Sequence, residues 1–168
     1  SIAYMHRVES DIQIDYFSSF EELLDAKSWT DYKKKVKSSK VLRPVFPWER
    51  EKIGGGVPPI RTDKGWLLIY HGVESSSGIR SISVYRAGAA LLSLDNPSDV
   101  VARLPYPILE PEEEYERNGD VNNVVFPMGG YIYNGELYIS YGGADRCIAL
   151  AKMHLKELID ELLRHPVH

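Results

Sequence analysis

The chain has 168 residues, of which 43% are hydrophobic, enough to bury the core of one domain. Its formal charge of −4 argues against nucleic acid as the main partner. Cys147 is the only cysteine, which excludes a disulfide within the chain and favours a reducing, cytoplasmic location. No apolar run has membrane-spanning length, so we expect no membrane partner. The five histidines are too scattered for a zinc site, and we expect no metal and no cofactor.

The N-terminal part is predicted to contain two strands and a short helix or turn. The first residues, SIAYMHRV, are typical of a strand and carry no initiator methionine or leader, so we expect a domain cut from a longer protein. The alternation in DIQIDY predicts a second strand. Ser19 can cap the helix or turn predicted in SFEELLDAKSWTDYKKKV. The lysines that follow are typical of a solvated face; they are Lys33, Lys34, Lys35, Lys37 and Lys40.

The middle of the chain alternates predicted loops and strands. Prolines and three consecutive glycines predict a loop in RPVFPWEREKIGGGVPPI. Strands are predicted in GWLLIYHG, in YRAGAALLSL and at the end of DNPSDVVARL. We expect His71 to lie at the end of the first of these strands, before Gly72. A long polar loop, YPILEPEEEYERNGDVNN, follows; its acidic side chains are predicted to be solvated, namely Glu110, Glu112, Glu113, Glu114 and Glu116.

The C-terminal part predicts a hairpin, a further strand and a helix. Asn134-Gly135 is a strong tight-turn signal between VVFPMGGYIY and ELYISYGG. RCIALAKM predicts the next strand. A helix at about 154–165 is predicted by apolar residues on one helical face, namely Leu155, Leu158, Ile159, Leu162 and Leu163.

Two segments of the chain resemble each other. KGWLLIYHG followed by YRAGAALLSL is similar to NGELYISYGG followed by RCIALAKMHL, at an offset of roughly seventy residues. The absence of alternating strands and long helices disfavours a doubly wound sheet. The repeat predicts an all-β fold of the β-propeller type, with a β-sandwich as the alternative.

Several motifs occur in an order that resembles glycoside hydrolase family 130. They are WEREKIGGGVPPIRTDKGWLLIYHGV, YRAGAALLSLDNPSDVVARLPYPILEPEEEYE, GDVNNVVFPMGG and LYISYGGADRCIALA. The resemblance runs from about Met5 to the C-terminal helix and covers the second half of the family's chain. It implies that residues 1–168 are the C-terminal portion of one five-bladed β-propeller. The family's general-acid aspartate belongs to its first half and has no counterpart here, so the catalytic residue is unknown.

The resemblance implies a β-mannoside phosphorylase, in which inorganic phosphate as co-substrate attacks the anomeric carbon with inversion to give mannose 1-phosphate. The phosphate cradle maps onto Arg7, Lys52 and His71, whose cationic or hydrogen-bonding groups suit a dianion. Sugar-binding candidates follow the same motifs; they are Asp145, Asp120, Tyr85 and Arg86.

Each site assignment has a structural alternative. Arg7 could be a surface salt-bridge residue, Lys52 a solvated lysine and His71 a core histidine. Asp145 and Asp120 could cap turns. Trp48 and Trp66 could stack on a sugar, although aromatic residues in β-proteins are more often core.

Two other functions remain open from the sequence. A hydrolase of the same family would activate water and would not need the three phosphate-binding groups. A non-catalytic, carbohydrate-binding partial propeller would need no acid. The expected partners are a β-mannoside or manno-oligosaccharide and phosphate, and unpaired strand edges would favour a homo-oligomer.

Overall fold

The computed structural model describes residues 1–8, 11–30, 32, 39–76 and 82–167. This part of the chain is mostly β-structure with a C-terminal helix. Its strands are β1 (Ile2–His6), β2 (Ile12–Phe17), β3 (Lys40–Leu42), β4 (Lys52–Gly55), β5 (Ile60–Arg61), β6 (Trp66–Ser75), β7 (Ser83–Leu92), β8 (Val100–Arg103), β9 (Val125–Tyr133), β10 (Glu136–Gly143) and β11 (Cys147–His154). Its helices are α1 (Phe20–Leu24), α2 (Ala26–Thr30), α3 (Glu114–Arg117) and α4 (Leu155–Leu163), with a 3-10 helix at Pro47–Glu49.

The described strands form three antiparallel sheets. The first has the order β1-β2-β3, the central sheet β4-β6-β7-β8 with β5 also paired to β6, and the third β11-β10-β9. The core lies on both faces of the central sheet. Leu67 and Ile69 face the third sheet and α4, whereas Leu68 and Tyr70 face the first sheet. Burial on both faces explains why the sequence of β6 is continuously apolar instead of alternating.

The predicted hairpin between β9 and β10 is confirmed. Asn134 and Gly135 both have positive φ, 49° and 79°, and join strands paired from Glu136 opposite Tyr133. Positive φ at both central residues is what a tight hairpin turn of type I′ requires, which is why Asn-Gly predicts it. The next turn, between β10 and β11, places Ala144 and Asp145 at φ of 48° and 52° without a glycine.

The N-terminal predictions are confirmed where the structure describes them. Helix α1 begins after Ser19, whose hydroxyl accepts a hydrogen bond from Glu22 N at 3.2 Å. Lys40 lies in β3 and pairs with Asp11 at 2.5 Å. Lys33, Lys34, Lys35 and Lys37 lie outside the described residues.

The C-terminal helix is confirmed, with one exception on its apolar face. Leu158, Ile159 and Leu162 are buried against the central and third sheets, and Leu155 packs beside them. Leu163 is 43% exposed and does not belong to the buried face. Over the nine residues of α4, the face that contacts the sheets is too narrow to include Leu163 as well as the other four predicted positions.

Two predicted loops contain regular structure. The glycine-rich segment after Glu51 forms β4, which pairs with β6 from Lys52–Val73 to Gly55–Tyr70. The acidic segment contains α3, in which Glu116 is only 5% exposed, so the prediction of a fully solvated loop is wrong at that residue. In both cases long-range hydrogen bonds override the local composition.

Among the described residues, no helix has both the length and the apolar character needed to cross a bilayer.

Candidate functional site

A cavity of about 690 Å³ lies between the first sheet and the β4 edge of the central sheet. Arg7 and His71 both line it, together with the glycine-rich end of β4. Another part of the cavity wall is apolar and includes Trp66, Leu92 and Pro97. Two of the three predicted phosphate-binding residues therefore share one cavity although they are 64 positions apart in the sequence (71 − 7).

His71 lies within β6, not at its end, because the strand continues to Ser75. It is directly opposite Gly54 of β4. A Cβ atom on Gly54 would lie 2.5 Å from Cε1 of the His71 ring, far inside van der Waals contact. Only glycine at position 54 leaves room for the imidazole to lie over β4. The predicted strand end is therefore wrong, although the His71 side chain does line the cavity.

The surroundings of His71 favour its neutral form. Burial, with the nearby charges of Arg7 and Lys52, lowers its pKa to about 4, against an opposing hydrogen bond with the Gly55 backbone. The imidazole is therefore uncharged at neutral pH. Its Nδ1 is buried and has no hydrogen-bond partner within the described part of the chain. A neutral imidazole has one donor and one acceptor nitrogen.

Lys52 and Tyr85 lie on the same face of the central sheet as His71. Lys52 and Tyr85 are the two cross-strand partners of Val73. Val73 is two residues after His71 in β6, and residues two apart on a strand share a face of the sheet. The Lys52 Nζ lies 5.8 Å from the Tyr85 ring centroid, a cation–π distance. The ring centroids of Tyr85 and His71 are 6.2 Å apart, and that of Phe126 is 4.5 Å from His71.

Arg7 approaches this group from the first sheet. It follows His6 at the end of β1 and is exposed. The His6 ring bonds Asp15 at 2.9 Å, which fixes the end of β1. The charge of Arg7 contributes to the lowered pKa of His71, and Arg7 lines the same cavity as His71.

Arg86 lies on the other face of the central sheet. It is opposite Gly72, the residue after His71, and it directly follows Tyr85. Because neighbouring side chains of a strand point to opposite faces, Arg86 faces away from His71 and Tyr85. Its guanidinium contacts Glu74 at 3.1 Å and Glu110 at 3.1 Å. Arg86 is thus held by carboxylates and is separated from the group around His71.

Asp120 and Asp145 are exposed and lie on adjoining loops. Val121 N donates to Ala144 O at 3.1 Å, which ties the two loops together. Gly119 is packed so closely that a Cβ atom there would lie 2.4 Å from Ala144 O. Asp145 has a left-handed backbone, a conformation that is uncommon outside glycine and clusters at functional sites. The loops that carry the two predicted sugar-binding residues are therefore in contact.

The two tryptophans have different surroundings. Trp48 is 7% exposed, stacks on Tyr70 with a centroid separation of 5.8 Å, and donates to Pro105 O, so it belongs to the core. Trp66 lines the apolar wall of the cavity.

A buried carboxylate beside the site was missed by the sequence analysis. Glu49, in the 3-10 helix, is fully buried and makes a bidentate ion pair with Arg103 at 2.7 and 2.8 Å. It also accepts a hydrogen bond from the Tyr70 hydroxyl at 3.1 Å, and Tyr70 immediately precedes His71. Backbone N–H groups of Val45 and Phe46 donate to the same carboxylate.

A second buried carboxylate, Glu116, has similar partners. The Tyr141 hydroxyl donates to it at 2.6 Å, and backbone N–H groups of Glu112 and Glu113 donate at 2.8 and 2.9 Å. Burial would raise its pKa, but these hydrogen bonds lower it below the ordinary value. The sequence signal for both carboxylates is an aromatic-Glu-Arg triplet, WER and YER, ahead of the two similar segments.

The described residues contain no group of three or more histidine, cysteine, aspartate or glutamate side chains placed to hold a metal ion.

Known proteins resemble this chain along nearly its whole length. The family model of glycoside hydrolase family 130, described as β-1,4-mannooligosaccharide phosphorylase, matches residues 4–164. The 1,2-β-oligomannan phosphorylase of Thermoanaerobacter sp. (strain X514) is 39% identical over 155 residues, covering 92% of this chain and 46% of that enzyme. The β-1,2-mannobiose phosphorylase of the same organism is 51% identical over 104 residues, covering 62% and 32%. The solved complex of the Listeria innocua β-1,2-mannobiose phosphorylase with β-1,2-mannobiose has a TM-score of 0.64 at 37% identity, covering 74% and 34%.

The chain belongs to glycoside hydrolase family 130, as its motifs indicated. It spans less than half the length of these relatives.

Proposed function

We propose that this chain is the C-terminal part of a β-mannoside phosphorylase and supplies its phosphate cradle. The observation that carries the proposal is that Arg7 and His71 line one cavity, while Lys52 lies on the same face of the central sheet as His71, beside Tyr85. Two fixed positive charges match the charge of a phosphate dianion, and a neutral imidazole can add a hydrogen bond. Arg7 suits phosphate because its planar guanidinium donates two parallel hydrogen bonds.

In the proposed reaction, a phosphate oxygen attacks the anomeric carbon of a β-mannoside from the face opposite the leaving oxygen. A carbon–oxygen bond to phosphate forms while the glycosidic bond breaks, which gives α-mannose 1-phosphate. The leaving oxygen takes a proton from a carboxylic acid, which we expect outside this chain. The residues of this chain hold the nucleophile in line with the sugar, and positioning of this kind is a large part of catalysis.

Asp145 and Asp120 are the proposed ligands of the mannose hydroxyls, since exposed carboxylates on adjoining loops can accept several hydrogen bonds. Tyr85 lies beside Lys52 and His71 and is proposed to border the bound sugar and phosphate. Arg86 is proposed only as a support, because Glu74 and Glu110 already engage its guanidinium.

We also propose that the three sheets are blades of a five-bladed β-propeller completed by the rest of the protein. The support is the outer face of the third sheet, where Ile148, Leu150 and Tyr133 are 77%, 60% and 61% exposed. The central sheet, by contrast, is covered on both faces. A large apolar face of this kind favours contact with a further sheet, or with a second copy in a homo-oligomer.

We place the enzyme in the cytoplasm. Cys147 is exposed and unpaired, as a reducing compartment permits.

The test uses the full-length protein with β-mannobiose, with and without inorganic phosphate. We expect mannose 1-phosphate in the presence of phosphate and almost no free mannose. Lys52→Ala and His71→Ala should each raise the KM for phosphate by about ten- to a hundred-and-fifty-fold, the equivalent of roughly 1.5–3 kcal/mol for a hydrogen bond to a charged group. The matched control is Lys64→Ala, since Lys64 is an exposed lysine that pairs only loosely with Asp63 at 3.5 Å.

Three other outcomes would contradict the proposal. Phosphate-independent release of mannose would indicate the hydrolase alternative. Binding of mannoside without cleavage by the full-length protein would indicate a carbohydrate-binding protein. A phosphate KM that rises equally in Lys64→Ala would show that general surface charge, and not the cradle, determines phosphate affinity.

A further inference from the structure

We propose that Glu116 is a positioning residue for the mannoside, acting through Tyr141 and the segment from Gly119 to Phe126. The inference rests on the proposed function, because it concerns the two carboxylates assigned to the sugar. Glu116 itself is 5% exposed and does not line the cavity, so it cannot act by contact with the substrate.

The Glu116 side chain joins two elements that are distant in sequence. One carboxylate oxygen accepts the Tyr141 hydroxyl of β10 at 2.6 Å, and Tyr141 contacts Tyr115 at 3.2 Å. The other oxygen accepts the N–H groups of Glu112 and Glu113. Charge-assisted hydrogen bonds of this kind are stronger than neutral ones, so α3 is fastened to β10 at a defined position.

The Glu116 backbone extends the same connection toward the cavity. Its carbonyl accepts Val124 N at 3.0 Å. The neighbouring Asn123 carbonyl accepts Tyr85 N at 2.9 Å, and Phe126, two residues beyond Val124, packs on the His71 ring. The segment fixed by Glu116 therefore adjoins the proposed phosphate site.

The same segment supports the turn that carries Asp145. Ala144 N donates to Val124 O at 3.0 Å, and Ala144 O accepts Val121 N at 3.1 Å. Asp120 lies directly before Val121, and Asp145 directly after Ala144. Asp120 and Asp145, the proposed sugar ligands, are thus each next to a residue that is hydrogen-bonded within the segment held by Glu116.

This arrangement predicts an effect on the mannoside that exceeds the effect on phosphate. Lys52 and His71 lie in the paired strands β4 and β6, and Arg7 directly follows β1, which pairs with β2. Strand pairing that does not involve Glu116 therefore holds these residues, and Phe126 only borders the His71 ring. Asp120 and Asp145 lie on loops whose position depends on α3 and β10. Loss of the Tyr141–Glu116 bond should therefore displace the sugar ligands and leave the phosphate groups in place.

The test compares Tyr141→Phe with Tyr70→Phe in the full-length enzyme, with phosphate and mannoside varied separately. Each substitution removes one hydroxyl that donates to a buried glutamate. We expect Tyr141→Phe to raise the KM for mannoside about five- to twentyfold and the KM for phosphate less than twofold. Tyr70→Phe should lower the melting temperature about as much as Tyr141→Phe does. It should not raise the KM for mannoside more than the KM for phosphate.

The conservative variant separates geometry from charge. In Glu116→Gln the amide oxygen can still accept both backbone N–H groups, and the amide N–H can donate to the Tyr141 oxygen. We expect Glu116→Gln to retain most of the mannoside affinity and Glu116→Ala to lose it as Tyr141→Phe does.

The inference is overturned if Tyr141→Phe leaves the mannoside KM unchanged or raises both KM values in proportion to the loss of stability. An equal effect of Tyr70→Phe would also overturn it. If the wild-type enzyme neither cleaves nor binds mannoside, the proposed function fails and this inference fails with it. If the wild-type enzyme is active and the Tyr141→Phe variant is unaffected, only this inference is overturned and the proposed function stands.

Discussion

The two buried glutamates, Glu49 and Glu116, occupy equivalent places in two similar parts of the chain. Each accepts hydrogen bonds from the backbone N–H groups three and four residues before it, within a short helical turn. Each also accepts a hydrogen bond from the hydroxyl of a tyrosine, Tyr70 or Tyr141, on a later strand. The repeat suspected from the sequence thus extends to a shared way of fastening a helical turn to a strand.

The two networks differ in what balances the charge. Arg103 from β8 pairs with Glu49 through two hydrogen bonds and closes that network inside the core. Around Glu116 the donors among the described residues are the Tyr141 hydroxyl and two backbone N–H groups; Arg117 contributes its charge but donates to Pro111 O instead. Tyr115, which contacts Tyr141, is 44% exposed. Glu49 is therefore part of a buried ion pair, whereas Glu116 is a carboxylate held by neutral donors. The first arrangement costs more to break, and the second leaves more room for movement.

The residue after each tyrosine also differs, and here the difference concerns function. His71 follows Tyr70, whereas Gly142 follows Tyr141. Phe126, which packs on His71, is opposite Gly142 in the third sheet. One part of the repeat supplies the imidazole, and the other supplies the surface against which it rests. The two similar segments thus differ at the position of the proposed phosphate-binding residue, which is histidine in one and glycine in the other.

The largest expected effect is the loss of Arg103. Arg103→Ala leaves the Glu49 carboxylate buried without its cation, and breaking a buried pair on one side costs about 3–5 kcal/mol. Tyr115→Phe, the corresponding change beside Glu116, removes one partly exposed hydrogen bond and should cost roughly 1 kcal/mol or less. Urea denaturation of the two variants measures the difference in the free energy of unfolding. Equal losses would show that the two networks are energetically alike, contrary to their geometry.

A smaller effect is expected from the pH dependence of His71. Its pKa is about 4 in the folded protein, against about 6.5 for an unperturbed histidine. Because the folded pKa is the lower one, the unfolded chain binds the proton first, and stability falls as the pH drops from about 6.5 toward 4. The expected loss between pH 7 and pH 5 is about 2 kcal/mol. Gly142, which takes the place of His71 in the second of the two similar segments, has no titratable side chain and makes no such contribution to stability.

The measurement is urea denaturation at pH 7 and pH 5 for the wild type and for His71→Phe. The variant should lack the contribution of His71, so its stability should fall less over this range. Binding of phosphate should raise the pKa of His71, which NMR titration of the imidazole can follow. Parallel pH profiles for wild type and variant would show that folding does not lower the pKa of His71.

Local chemistry predicted the parts of the fold that depend on neighbouring residues. The Asn134-Gly135 turn, the cap at Ser19 and the C-terminal helix follow from propensities that act within a few positions. Strand β6 followed from an apolar run bounded by turn residues.

The features that sequence reasoning missed depend on distant partners. The glycines of β4 resemble a loop, and their pairing with β6 is set by strand register and by the size of the His71 ring. Glu49 and Glu116 stand in charged segments typical of solvent. Their burial depends on hydrogen bonds from tyrosines on later strands and, for Glu49, on the distant Arg103. Arg86 was predicted as a sugar-binding residue together with Tyr85 because both begin the motif YRAGAALL. Side chains alternate along a strand, however, so the two residues face opposite sides of the sheet.

The last prediction concerns Gly54, the residue that admits His71 to the cavity wall. Gly54→Ala would place a Cβ atom 2.5 Å from Cε1 of His71 and 2.7 Å from Nε2, so the ring must shift. Gly55→Ala meets no atom within 4 Å and serves as the matched control, since both changes add one methyl group to the same strand. We expect Gly54→Ala to weaken phosphate binding about tenfold, the equivalent of about 1.4 kcal/mol, and Gly55→Ala to change it by no more than a few-fold. Calorimetric titration of the full-length protein with inorganic phosphate measures both. In the double variant with His71→Ala, the effect of Gly54→Ala on phosphate should disappear, because no ring remains to be displaced. An effect that persists without the imidazole would mean that Gly54 acts through the backbone of β4, and that the position of His71 does not depend on it.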